Sequence, residues 1–156
     1  MNLTSRLVVG TLVVALTIAA FAARSLQRER VFRNAWADYT SGRWASAVQG
    51  FDDYISRFPD SDLADDAQFY IGQTYYADGQ YRQATEAFEQ VELSYADGDR
   101  VAEAVYKRGV ALERLGEPEQ ARRAYELVVR GYPATNAAAD LAQQALDRAS
   151  QGQRPR

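Results

Sequence analysis

Apolar positions follow two regimes along this chain. Leu7 to Ala23 is an unbroken run of 17 residues with no charge and no polar face. From Val31 onward apolar residues recur three and four apart, the spacing of helices that bury one stripe. No stretch alternates apolar and polar residues in the period of two that strands show. An all-helical chain is expected.

The second regime repeats itself. Gly42, Gly79 and Gly116 stand 37 residues apart, and so do Ala47, Ala84 and Ala121, then Phe51, Phe88 and Tyr125, then Phe58, Tyr95 and Tyr132. Pro59 and Pro133 share a register with Ala96 between them, and Gly72 pairs with Gly109, with Ala35 in the first copy. A fixed period within about 20–50 residues marks a solenoid or array.

Each copy reads as two helices. In the second, Leu63 to Ala77 carries Ala64, Ala67, Ile71 and Tyr75 on one face. Asp78-Gly79 ends it, and Gly79 suits the left-handed residue past a helix end. Tyr81 to Tyr95 is the partner, with Tyr81, Ala84, Phe88 and Val91 on its stripe. The third copy turns at Leu115-Gly116-Glu117-Pro118, and Pro118 fits a first helical turn, where its missing N–H costs nothing. The first turns at Ser41-Gly42. A last helix, about Asn136 to Ala149, offers Ala138, Leu141, Ala145 and Leu146 to the final repeat, with Asp140, Gln144, Asp147 and Arg148 in water. An end repeat needs such a cap. The expected layout is a leader at 1–23, a short basic linker at 24–30 and a repeat domain at 31–150. Its repeats fall at about 31–60, 61–97 and 98–134, its cap helix at 136–149, and a disordered tail follows at 151–156.

The leader fits two roles. A spanning helix needs about 17–25 apolar residues, and a signal-peptide core about 7–15. Ala20-Phe21-Ala22 has the small-x-small form that signal peptidase reads, so cleavage after Ala22 and retention as an anchor both stay open. Arg6 precedes the run, and Arg24, Arg28, Arg30 and Arg33 follow it. Counted by the positive-inside rule, these keep the rest of the chain in the cytoplasm.

Composition removes most chemistry. With no Cys and no His there is no disulfide, thiolate nucleophile, Cys-based zinc site or imidazole base. Residues 1–30 hold four arginines against one glutamate, a net of +3, while the remainder holds 14 basic against 20 acidic residues, a net of −6. An acidic domain is a poor ligand for nucleic acid, which is not expected as a partner. Asp60, Asp62, Asp65 and Asp66 read as helix N-caps and dipole partners rather than calcium ligands, because Asp97 and Asp99 recur one period later. Neither a metal nor a cofactor is expected, and no catalytic residue is named.

The repeat resembles the tetratricopeptide (TPR) family. Gly72 with Tyr75, Ala84 with Phe88 four later, and the terminal Pro carry the likeness, over about Val31 to Ser150. Arg108 stands where a Leu is usual in that family, which should weaken the third copy's inner contact, and the early position of one first helix is Gln68. The resemblance implies a right-handed all-α solenoid of three TPR-like helix pairs plus a C-terminal capping helix, preceded by an N-terminal hydrophobic helix. It further implies a concave groove for a protein or peptide partner, lined by Phe32, Trp36, Tyr39 and Thr40, then Phe69, Gln73, Tyr76 and Ala77, then Tyr106, Val110, Glu113 and Arg114.

The segment Ser41-Gly42-Arg43-Trp44 with Ala47, Phe51 and Arg57-Phe58-Pro59-Asp60-Ser61, continuing from Ala64 through Gly72 to Tyr75-Tyr76, narrows the likeness. It resembles the C-terminal TPR domain of the periplasmic Tol–Pal cell-division coordinators and, more distantly, the outer-membrane lipoprotein that scaffolds β-barrel assembly. The first likeness implies a non-catalytic adaptor, periplasmic or anchored to the inner membrane through residues 7–23 and facing the periplasm. It would bind an inner-membrane Tol component and link constriction to peptidoglycan synthesis. The alternatives are a generic membrane-anchored TPR adaptor, facing either side, and an outer-membrane-assembly scaffold. Oligomeric state is left open.

Overall fold

The computed structural model describes residues 3–132 and 137–152, with side chains over 15–132 and 137–151. The elements in chain order are α1 (Leu3–Thr40), α2 (Trp44–Arg57), α3 (Ala64–Ala77), α4 (Tyr81–Ser94), α5 (Val101–Arg114), α6 (Pro118–Gly131) and α7 (Ala137–Gly152). Among the described residues there is no strand. Each helix packs on its neighbours in sequence, and α7 also reaches α5. The result is three stacked pairs, α1/α2, α3/α4 and α5/α6, closed by α7.

The three turns inside the pairs share one construction. Gly42, Gly79 and Gly116 have φ of 71°, 77° and 75°. In the second turn, the N–H of Gly79 bonds to the carbonyl of Tyr76 and that of Gln80 to the carbonyl of Tyr75. The third repeats this with Gly116 to Glu113 and Glu117 to Leu112. A left-handed residue lets two N–H groups reverse onto the last free carbonyls of the helix, and Gly adopts it without a Cβ clash.

The periodic residues form the core. Ala47, Ala84, Phe51 and Phe88 are fully buried, and Ala121 and Tyr125 nearly so. Phe88 packs against Gly72, where a Cβ would come within 2.6 Å of its ring, and Tyr125 packs against Gly109 in the same way. Each of these two rings thus fills the gap inside its own pair. The first pair solves the problem differently. Ala35 occupies the register of Gly72 and Gly109, and the glycine sits across from it at Gly50, where Ala87 and Ala124 stand in the later copies. A Cβ on Gly50 would lie 2.8 Å from that of Ala35.

Several expectations need correction. Residues 24–30 are not a connecting linker, because α1 runs through them without a break into the first pair. Nothing between Thr11 and Ser41 is Gly or Pro, so nothing there interrupts the helix. Of the tail expected at 151–156, Gln151 and Gly152 close α7, and the rest lies outside the described residues. On α7 the buried face is Ala138, Ala139, Ala142 and Ala145, while Leu141 is 43% exposed. The aspartates do not act as side-chain caps, for neither α3 nor α5 has one. Ser61 instead accepts the N–H of Leu63, and Asp65 accepts that of Asp66. Arg108 does not leave the third copy loose. It reaches back from α5 to α4 and pairs with Glu89 at 3.1 Å and Glu92 at 3.2 Å. Gln68 likewise donates to the carbonyl of Ala87 on α4.

Among the described residues no helix is long and apolar enough to cross a membrane. The apolar run at 7–23 lies only partly among them, since described side chains begin at Ala15.

Candidate functional site

The first helices of the pairs, α1, α3 and α5, touch one another through side chains on one wall of the stack. Tyr70 on α3 is the hub of this wall. Trp36 of α1 meets it edge-on at 4.6 Å between centroids, Tyr39 lies 5.6 Å away, and Phe32 lies 6.5 Å away. Behind it Phe51 stacks at 5.7 Å and Phe69 meets it edge-on at 5.5 Å. Edge-on and offset rings attract through their quadrupoles, so each contact adds about 0.5–1.5 kcal/mol beyond its buried area. The cluster therefore holds Trp36 in place while leaving it 37% exposed.

Arg100 closes the third side. It stands at the start of α5 and turns back over α3. Its Nε donates to Asp66 Oδ1 at 2.6 Å and its Nη1 to Glu103 Oε2 at 2.9 Å. Its guanidinium lies 5.3 Å from the Phe69 ring centre and 5.9 Å from that of Tyr70. Burial opposes its charge, but the hydrogen bonds and charges of Asp66 and Glu103 outweigh this and hold Arg100 above its usual range. Burial also raises the Tyr70 phenol, which Arg100 only partly offsets.

Between these groups lies a cleft of about 330 Å³ lined by Phe32, Arg33, Trp36, Leu63, Asp66, Tyr70 and Arg100. Its floor is aromatic, and its rim is a fixed ion pair with Arg33 opposite. Such a surface takes up an apolar or aromatic side chain and offers charged groups at the edge to orient the backbone around it.

The residues named from sequence separate into groups. Phe32 and Trp36 line this cleft, and Tyr39 packs against Trp36 and Tyr70 without lining it. Phe69 shares their register but is 1% exposed, packed under Arg100 and against Phe88 at 5.7 Å. It supports the wall from inside and offers no surface to a partner. Tyr76 lies at the other end of α3, 5.3 Å from Tyr81, with Arg114 beside it. The Tyr76 hydroxyl raises the Arg114 guanidinium by hydrogen bonding and by its charge, and Tyr81 adds to this. Gln73 is half-buried between these two patches, and Thr40 and Ala77 are exposed. Tyr106 sits 5.7 Å from Tyr125, and Val110 packs half-buried against the core. The Tyr125 hydroxyl is buried with no hydrogen-bond partner. Burial, and then the charge of the exposed Glu113, raise its pKa.

Tyr70, Arg100 and Asp66 were not expected here. The register of Tyr70 holds Arg33 in the first copy and Lys107 in the third, so periodicity hides it. The available signal was the break in period itself, a lone aromatic beside the repeated Phe69.

Stacked helix pairs, glycine turns of one design and a capping helix define a tetratricopeptide-repeat scaffold. Solved structures share the fold. The chain superposes on a structure titled CopN-Scc3 complex with a TM-score of 0.65 and 20% identity, covering 79% of this chain and 69% of that one. The Arabidopsis OM64 TPR domain matches with a TM-score of 0.60 and 18% identity, over 78% and 94%. A putative kinesin light chain of Podospora anserina with TPR-like repeats matches with a TM-score of 0.62 and 21% identity, over 81% and 68%. No curated protein matches the chain significantly. The family model YfiO, outer membrane lipoprotein, matches residues 24–150, and the chain belongs to that family. Membership associates it with the cell envelope. The match begins where the apolar run ends, so it takes in the basic turn of α1.

Proposed function

We propose that this chain is a non-catalytic envelope scaffold that holds a segment of a protein partner in the Trp36–Tyr70 cleft. The observation that carries this reading is Trp36, a large aromatic left 37% exposed over a preformed aromatic floor. Trp is among the residues enriched at binding hot spots. Residues 7–23 serve as the attachment to the membrane, with the repeat domain on its periplasmic side. Membership of the outer membrane lipoprotein family supports a role in outer-membrane assembly. The Tol–Pal adaptor is the second reading, supported by the segment from Ser41 to Tyr76 described above.

A photo-crosslinking amino acid placed at Trp36 in cells tests this, with the exposed Leu93 on α4 as the control site. The expected result is a discrete adduct from position 36 only. Mass spectrometry then separates the readings, since a barrel-assembly component supports the first and a Tol component the second. Equal labelling from both positions would refute the cleft as the binding site.

A further inference from the structure

The sequence holds no cysteine, so no residue in it can take the thioether lipid of a lipoprotein. What it offers a membrane instead is α1. Every side chain from Ala15 to Arg24 is exposed. Leu16, Ile18 and Phe21 are 61%, 63% and 77% exposed. At about 100° per residue Ile18 and Phe21 share one side of the helix and Leu16 points to the opposite one. A helix that is apolar on several sides and covered by no protein is suited to hydrocarbon.

The next turn changes character. Arg24 and Arg28 stand one turn apart on one face, and Arg30 follows. Arg24 and Arg30 make no ion pair among the described residues, and Arg28 shares its charge with Asp62 at 3.4 Å, an aspartate whose side chain is 87% exposed. Arg24 and Arg28 open onto a cleft of about 250 Å³ between α1 and the α2–α3 connection. Phe21, Phe58 and Pro59 form its apolar wall, and Asp60 and Ser61 lie at its polar edge. Arg57, 5.5 Å from the centre of the Phe58 ring, is paired with Asp53 at 2.9 Å and does not line the cleft.

We propose that this cleft holds the phosphate headgroup of an anionic phospholipid. Arg24 and Arg28 contact the phosphate, and Phe21 and Phe58 lie against the upper acyl chain. This rests on the membrane attachment proposed above and goes beyond it, because it fixes how the domain stands on the surface. The net charge of +3 over residues 1–30 draws that end toward an anionic bilayer, while the −6 of the remainder is repelled. Since α1 continues unbroken to Thr40, the arginines and Trp36 sit on one rod. The partner cleft then stands about 18 Å along the helix axis beyond Arg24, at about 1.5 Å per residue.

The test uses the full chain. Flotation with phosphatidylcholine vesicles, with and without phosphatidylglycerol, reports attachment. Native mass spectrometry of the detergent-solubilised protein reports which lipid stays bound. The chain is expected to float with both vesicle types and to retain phosphatidylglycerol over phosphatidylcholine. R24Q/R28Q should still float and keep its helicity but lose phosphatidylglycerol affinity about thirtyfold, each arginine near an anionic surface being worth about fivefold. The same charge removed at Arg82 and Arg123, exposed elsewhere, should change nothing. Failure to float with either vesicle overturns the attachment and the site with it. Flotation with equal retention of the two lipids overturns the headgroup site alone. Displacement of the bound lipid by inorganic phosphate makes the cleft a free-phosphate site and also overturns the proposal.

Discussion

The first helix pair carries one methyl group where the other two pairs carry it on the opposite helix, and exchanging the two positions measures how tightly the pair is fitted. Gly50→Ala alone places a Cβ 2.8 Å from the Ala35 Cβ and 3.2 Å from its Cα. Carbon atoms in good contact lie about 3.5–4.0 Å apart. Overpacking of this kind costs about 1–3 kcal/mol. Replacing a helical Gly by Ala returns about 0.8–1.0 kcal/mol of helix propensity, so the net loss is about 1 kcal/mol. Ala35→Gly alone loses that propensity and one buried methyl group worth about 0.8 kcal/mol, about 2 kcal/mol together. In the double variant the propensity changes cancel and the clash disappears. It should lie within about 0.5 kcal/mol of the wild type, a coupling of about 2–3 kcal/mol, which contacting residues can reach.

Urea unfolding followed by circular dichroism reads all four corners of the cycle. Gly72→Ala with Ala87→Gly is the contrast, because the obstacle at Gly72 is the ring of Phe88 rather than the facing alanine. No rescue is expected there. If Ala35→Gly/Gly50→Ala is as unstable as the two single losses added, the sites are independent and the exchange argument fails.

Two further outcomes follow from buried charge. Burial raises the Asp65 carboxyl above its ordinary value of 3.8, so the folded chain holds this proton more tightly than the unfolded chain does. Its contribution to stability therefore falls as pH rises from 3.8 through the raised value and is level above it. Asp65→Asn keeps an oxygen for the Asp66 N–H and should melt higher than the wild type at neutral pH, with the gap closing in acid; a lower neutral-pH melt would contradict this. Arg108→Leu restores the apolar residue usual at that position and should stay within about 1 kcal/mol of the wild type, since half-exposed ion pairs contribute little net. Its stability should also lose much of its salt dependence, and an unchanged salt slope would show that Glu89 and Glu92 contribute nothing there.

The repeat was legible because its constraints are steric and local. A left-handed turn admits Gly almost alone, and a ring lying on a neighbouring backbone needs a residue without a Cβ. Both therefore return every 37 residues. The groove was only partly legible because equal register does not mean equal exposure. Phe32, Phe69 and Tyr106 are register mates, yet Phe69 alone has a helix pair on either side and Arg100 above it, and it is buried. Tyr70 and Arg100 escaped because a site that recognises something must depart from the repeat, and periodicity records only what returns. The basic segment at 24–30 has the charge of a linker, yet charged residues of this kind are good helix formers and nothing among them stops a helix.

The seams between pairs are made of different materials, and this gives the stack a direction. Rings of Trp36, Tyr39, Phe51 and Tyr70 join the first pair to the second, whereas Arg108 with Glu89 and Glu92, and Arg100 with Asp66, help join the second to the third. Both seams are apolar inside, the second through Val91, Val101 and Val105, so ions that screen charge weaken only the ion pairs added to the second and leave the rings of the first unchanged. In an array held together only by neighbours, such a difference decides which end opens. Added salt should therefore bias the first opening toward the C-terminal pair, leaving the α1 end the last to come apart.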